Sequence, residues 1–127
     1  MKYWAIIFSL FLGLVTAAQA EEISFTILST GDLHSRFEPH IDPFHLGGMA
    51  RLKTAMDQIE SASVAQQQPV LRVDAGDCTE GGILFNLGGG LASYEMLNLL
   101  GYDAVTLGNH DWYLGPDALN EVLEQAQ

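Results

Sequence analysis

Three short stretches of this chain carry residue types that bind metal ions. Asp32 and His34 stand two apart, Asp77 closes the run Asp74-Ala75-Gly76-Asp77, and Asn109 and His110 sit inside Gly108-Asn109-His110-Asp111. Carboxylate, amide oxygen and imidazole suit Mn, Fe, Zn or Mg, with imidazole favouring the transition metals, and no soft sulfur set is present. At a strand end, residues two apart point the same way, so Asp32 and His34 are able to share one ion. Gly76 permits a sharp turn that places the Asp77 carboxylate between two ions. Gly108 permits the tight turn that presents the Asn109 oxygen to the second ion. Taken singly, each stretch has a plainer reading: Asp-x-His is common, and a carboxylate after glycine is often a turn residue or helix cap. The three in this order, each after a strand, point to a metal site.

The elements that position them alternate. Ile23–Ser29 is rich in β-branched and aromatic residues and reads as a strand. Met49, Leu52, Met56 and Ile59 recur at spacings of three and four, one apolar face of a helix to about Ala62. Val70–Val73 is a short apolar strand, and Gly76–Gly90 a glycine-rich loop holding Ile83, Leu84 and Phe85, with Phe85 expected under the helix that follows. Leu91–Leu100 reads as a second helix stopped by Gly101. Ala104–Leu107 is a third strand, and Pro116 opens a third helix whose buried stripe is Leu119, Val122 and Leu123. Strands separated by helices imply an α/β fold with a largely parallel sheet, and short apolar strands fit a sheet covered on both faces. Ligands of such sheets bind beyond the carboxyl ends of the strands, where all three polar stretches fall.

Residues 1–20 are set apart from this fold. Lys2, an apolar run from Tyr3 to Val15 and Ala18-Gln19-Ala20 read as a secretory signal peptide cleaved after Ala20. The run is shorter than the roughly 20 residues a membrane span needs, and no cysteine stands at the cleavage point for a lipid anchor. Export to the periplasm or the medium follows, leaving 21–127 as the folded piece. The chain carries a net charge of −11, which disfavours nucleic acid and anionic membranes and calls for local cations if the substrate is a phosphate. Cys78 is the one cysteine, so stability rests on the core and not on an internal disulfide.

The segments ILSTGDLHSRFEP, GGMARL, VLRVDAGD and LGYDAVTLGNHDW resemble the calcineurin-like metallophosphoesterases, and within them the exported 5′-nucleotidases and UDP-sugar hydrolases. The resemblance implies the N-terminal part of the layered sheet-and-helix fold of that family. It implies two divalent metal ions held in part by Asp32, His34, Asp77 (bridging) and Asn109, with a hydroxide between them attacking a nucleotide phosphate. His110 matches the catalytic histidine, and Arg36 stands where a basic residue lies near substrate. The family usually has Asn-Asp at the first stretch, where this chain has Gly31-Asp32. It commonly pairs the catalytic histidine with an aspartate three residues on, where this chain has Tyr113. Asp111 or Glu80 is left to fill that place, and the residues alone do not choose between them. Further metal-binding histidines and a C-terminal nucleotide-binding domain are implied downstream, so 21–127 reads as an incomplete metallophosphoesterase domain. His40 and His45 read as loop residues, and Trp112 and Tyr113 as packing residues. The alternatives are a cyclic nucleotide phosphodiesterase, a sugar-nucleotide pyrophosphatase or a sulfur-oxidation thiohydrolase on the same scaffold. An inactive fragment or a non-catalytic secreted metal-binding domain is the alternative outside enzymes.

Overall fold

A computed structural model describes residues 22–39 and 46–126. The leader reading of 1–20 and the loop histidines His40 and His45 lie outside them. In chain order the elements are β1 (Thr26–Thr30), α1 (Met49–Ala65), β2 (Val70–Asp74), α2 (Ile83–Gly88), α3 (Leu91–Leu100), β3 (Ala104–Val105), a 3-10 turn (His110–Trp112) and α4 (Pro116–Gln125). Among the described residues no helix is long and apolar enough to cross a membrane.

The sheet is parallel throughout, in the order β1-β2-β3. Thr26 pairs with Val70 and Thr30 with Asp74, then Val73 with Ala104 and Asp74 with Val105. β1 therefore starts three residues later than its composition suggests. β2 begins only after the polar break at Gln66–Pro69, so Ile23–Phe25 have no neighbour to pair with; Ile23 and Phe25 are exposed. β3 is cut to two residues, because the chain turns away at Gly108 to bring His110 to the rim.

α1 runs to Ala65, one turn beyond the apolar pattern. Met49 and Met56 are buried as the pattern requires, but Ile59 is 45% exposed, and Ser63 is buried instead. The inward face runs through Asp57, Glu60 and Ser63 because β2 presents a charge to it. Arg72, 5% exposed, donates to Asp57 Oδ1 (2.7 Å), to Glu60 and to the Leu100 carbonyl at the end of α3 (2.6 Å). Hydrogen bonding to Asp57, ahead of the burial that opposes it, pushes the Arg72 pKa up further. Ser63 completes the seam by a hydroxyl pair with Thr26 at 2.9 Å. On the opposite sheet face Ile27 and Leu71, side by side in register, are 54% and 42% exposed. The described residues thus cover one face of the sheet, not the two expected from its apolar strands.

The core lies under the strand ends. Cys78, Tyr94, Leu97, Leu119 and Ala126 are buried together, with Leu33, Leu107, Val122 and Leu123 packed on them. Phe85 is buried, but in a short helix and not a loop; α2 ends at Gly89 in the left-handed region. Gly101 stops α3 as its spacing suggests, with φ 76° and its N–H on the carbonyls of Leu97 and Asn98.

Candidate metal and catalytic site

Apolar anchors in this core alternate with the polar residues of interest. Leu33 packs inward between Asp32 and His34, Cys78 follows Asp77, and Leu107 precedes the Gly-Asn-His turn. Burying each anchor holds its polar neighbour at the rim, so the hydrophobic core and the site are parts of one construction.

The loops are laced to one another by backbone. Asp32 N–H donates to the Gly76 carbonyl (2.9 Å), His34 N–H to Asp77 (3.0 Å) and Ser35 N–H to Cys78 (2.9 Å). The glycines decide how closely they approach. Gly76 has φ +93°, and a Cβ there would overlap the Gly108 nitrogen and lie 2.9 Å from the Leu107 carbonyl carbon. A Cβ on Gly108 would strike the Asp77 carboxylate itself. Gly31 faces Ala75 with room for only a close contact, 3.1 Å between β-carbons. Asp32, His34, Ser35 and Asp77 all hold φ between 50° and 58°, a region costly for residues with side chains. Such strain collects where surrounding contacts over-determine the backbone, commonly at functional sites.

One ligand atom from each of His34, Asp77 and His110 falls within 4.8 Å of the others. Asp32 Oδ1 lies 3.8 Å from His34 Nε2. The two imidazoles meet edge to face, centroids 4.9 Å apart. Asn109 directly precedes His110, exposed, its carbonyl accepting the Trp112 N–H at 3.4 Å. Arg36 is exposed and stands with Asp32 on the wall of a neighbouring cleft of about 1110 Å³, which Arg51 also lines. Trp112 and Tyr113, expected to pack, are 47% and 69% exposed, although the Tyr113 ring meets Phe85 edge-on at 6.0 Å.

Between the two candidates for the partner of His110, the geometry selects Glu80: its Oε2 lies 2.8 Å from His110 Nδ1. Asp111 is turned the other way and buried. Its Oδ2 accepts N–H groups of Asp77 (2.8 Å) and Gly108 (2.9 Å), and its Oδ1 those of Cys78 (3.2 Å) and Thr79 (3.3 Å). Burial alone would raise its pKa, but the donors from Gly108 and Asp77, joined by Thr79 and Cys78, outweigh it and hold the carboxyl below its ordinary value. Asp77 in turn accepts the His110 N–H at 2.8 Å. Burial and the Asp111 carboxylate push the Cys78 thiol pKa far up, so it is an inert packing group. The carboxylate of Asp74, buried behind the site, bonds Gly76 N–H (2.9 Å) and the Thr30 hydroxyl (2.5 Å) and pins β1 to β2.

The donors present are hard or borderline, convergent and partly exposed, as a divalent cation requires. His34 Nδ1 is bound to the Glu80 carbonyl at 2.6 Å, which leaves Nε2 as the free lone pair.

Residues 25–125 match the family model of the calcineurin-like phosphoesterases. The chain is 37% identical over 130 residues to the 5′-nucleotidase of Rattus norvegicus, covering 96% of this chain and 22% of that protein. Its backbone is similar to the 5′-nucleotidase precursor of Thermus thermophilus, with TM-score 0.67 and 34% identity over 80% of this chain and 20% of that one. It is similar also to the NAD nucleotidase of Haemophilus influenzae, with TM-score 0.69 and 28% identity over 80% of this chain and 19% of that one. The chain thus spans about a fifth of the length of these proteins. Its sequence, its parallel sheet and its three convergent loops agree: the chain belongs to the calcineurin-like phosphoesterase family.

Proposed function

We propose that this chain supplies part of the active site of an exported, metal-dependent hydrolase that cleaves a phosphate ester of a nucleotide. The observation that carries the reading is the convergence of His34, Asp77 and His110 from three separate loops, with Asp32 beside them. Asp32, His34, Asp77 and Asn109 would hold two divalent ions. Ions bound there would lower the pKa of a water and offset charge on the phosphoryl oxygens. The chain's own groups then position and neutralise. Arg36, exposed on the cleft wall beside Asp32, is placed to draw an anionic substrate towards the rim. His110, with Nδ1–H held by Glu80, turns its other ring nitrogen to the leaving oxygen and, as the imidazolium, gives it a proton or offsets its charge. Asp111 serves by fixing the loops of Asp77 and Gly108, not by touching substrate.

The reading of residues 1–20 as a secretory leader supports export of this chemistry to the periplasm or medium. Phosphate release from AMP with Mn²⁺, measured in the protein and in Asp77→Asn, tests the assignment. The substitution is expected to lower the rate by at least 100-fold; an unchanged rate refutes it. A substrate panel including cyclic nucleotides, sugar nucleotides and a thiosulfate ester separates the phosphomonoesterase reading from its relatives.

A further inference from the structure

We propose that Glu80 is a positioning residue that sets the tautomers of both imidazoles at the site, through two different atoms. Its backbone carbonyl meets His34 Nδ1 at 2.6 Å, and its carboxylate meets His110 Nδ1 at 2.8 Å. A carbonyl oxygen only accepts, so His34 carries its proton on Nδ1. An ionised carboxylate also only accepts, so His110 does the same. In water a neutral imidazole favours the proton on Nε2. In the neutral form one residue therefore turns both rings to the less favoured tautomer, with Nδ1 occupied in each.

The loop is built to let Glu80 do this. The strip 77–80 docks along 34–35 rung by rung: His34 N–H to the Asp77 carbonyl, Ser35 N–H to Cys78, the Ser35 hydroxyl to Thr79, and the His34 ring to Glu80. Gly81 follows with φ +121°, where a Cβ would lie 3.1 Å from His34 Cβ and 3.5 Å from its Nδ1. A side chain at 81 would crowd the ring that the Glu80 carbonyl holds.

Position 113 shows what Glu80 compensates. In a 3-10 turn the residue at i+3 eclipses residue i, so an acid three residues after His110 would reach its ring. Here that place is Tyr113, whose ring lies against Phe85. The carboxylate comes instead from the loop of Asp77, which ties the orientation of His110 to the same loop.

The use of these tautomers for metal binding and catalysis rests on the phosphoesterase reading; the tautomers themselves do not. Long-range ¹H–¹⁵N correlation of the imidazoles in the metal-free chain, at a pH well above the ordinary histidine range near ~6.5, reads them directly. Both His34 and His110 are expected as Nδ1–H forms. In Glu80→Ala, His110 should pass to the Nε2–H form while His34, still held by the backbone carbonyl, keeps Nδ1–H. Glu80→Gln, whose amide oxygen still accepts, should keep both. The double variant Glu80→Ala/Tyr113→Asp should restore Nδ1–H at His110. An Nε2–H form of His110 in the unaltered chain overturns the proposal, as does a Glu80→Ala variant that changes neither ring or both together. Titration with Mn²⁺ is the second readout: Glu80→Ala, which leaves His34 held by the backbone carbonyl, should bind as the unaltered chain does, and a loss of binding there overturns the separation of the two contacts. If the tautomers behave as stated and the unaltered chain takes up no Mn²⁺, the metal-site reading falls and the positioning role stands.

Discussion

Asp111→Asn isolates the lacing of the two loops from the chemistry they carry. Each oxygen of the Asp111 carboxylate serves two backbone N–H groups: Oδ2 those of Asp77 and Gly108, Oδ1 those of Cys78 and Thr79. Asparagine has the same shape but one accepting oxygen. Whichever way its amide turns, its NH₂ faces two N–H donors, which are left buried and unpaired. Each such donor costs about 1–3 kcal/mol. The Oδ1 contacts are the longer pair, so the amide will settle on that side and the cost will sit near the lower end. The two surviving bonds also lose their charge, about 1 kcal/mol each. Relief from burying a carboxylate offsets part of this, leaving a net loss of about 2–4 kcal/mol. A typical domain has about 5–15 kcal/mol in all. With a urea slope of about 1.5 kcal/mol per M, the unfolding midpoint should fall by roughly 1–3 M. Glu95→Gln, on the exposed side of α3, is the control and should move it by less than about 0.3 M. A midpoint for Asp111→Asn as close to the parent as that of the control would refute the argument that this carboxylate is a structural rivet.

Other outcomes follow from the same geometry. Because the Asp111 pKa is depressed in the folded chain, its stabilisation is complete above the unfolded aspartate value near ~3.9 and is lost as pH falls through the lower folded value. Between pH 5 and pH 2 the parent midpoint should therefore fall more steeply than that of Asp111→Asn; parallel curves would count against the assignment. Gly76→Ala should cost about 2–4 kcal/mol in a chemical melt, since it adds left-handed strain to an overlap with the Gly108 backbone. A melt unchanged within error would mean the loops are not in contact. Gln67, exposed just past α1 with φ 59°, is the opposite case. Gln67→Gly should raise stability by about 0.5–1 kcal/mol, visible as a higher Tm, because glycine relieves the left-handed strain there.

Most of the frame was legible in the sequence because it depends on short-range pattern. Met49 and Met56 fall on the buried side of α1, Gly101 stops α3, and Leu119 is buried in α4 as its spacing requires. What could not be read depends on partners far along the chain. β1 is set by where β2 begins, and Ile59 is displaced from the interior by an arginine thirteen positions later that draws Glu60 inward. The uncovered face of Ile27 and Leu71 is likewise invisible to a rule about strand composition. At the site, residue type and spacing bring Asp32, His34, Asp77 and His110 together, since three strand ends must meet at one rim. The choice between Glu80 and Asp111 was not legible. Both are carboxylates near the right place, and only the turn of the 3-10 segment shows that one faces the ring and the other the backbone.

The left-handed backbone at Asp32, His34, Ser35 and Asp77 has a bearing on how this sequence can drift. At Asp32, whose side chain is 80% exposed, glycine would relax the chain with little packing to lose, so neutral change there runs downhill away from the carboxylate. His34, Ser35 and Asp77 hold the same backbone region, but their side chains bond the neighbouring loops and resist that drift. Thermal stability is thus a poor guardian of Asp32, and a library selected only for heat resistance should lose that carboxylate first.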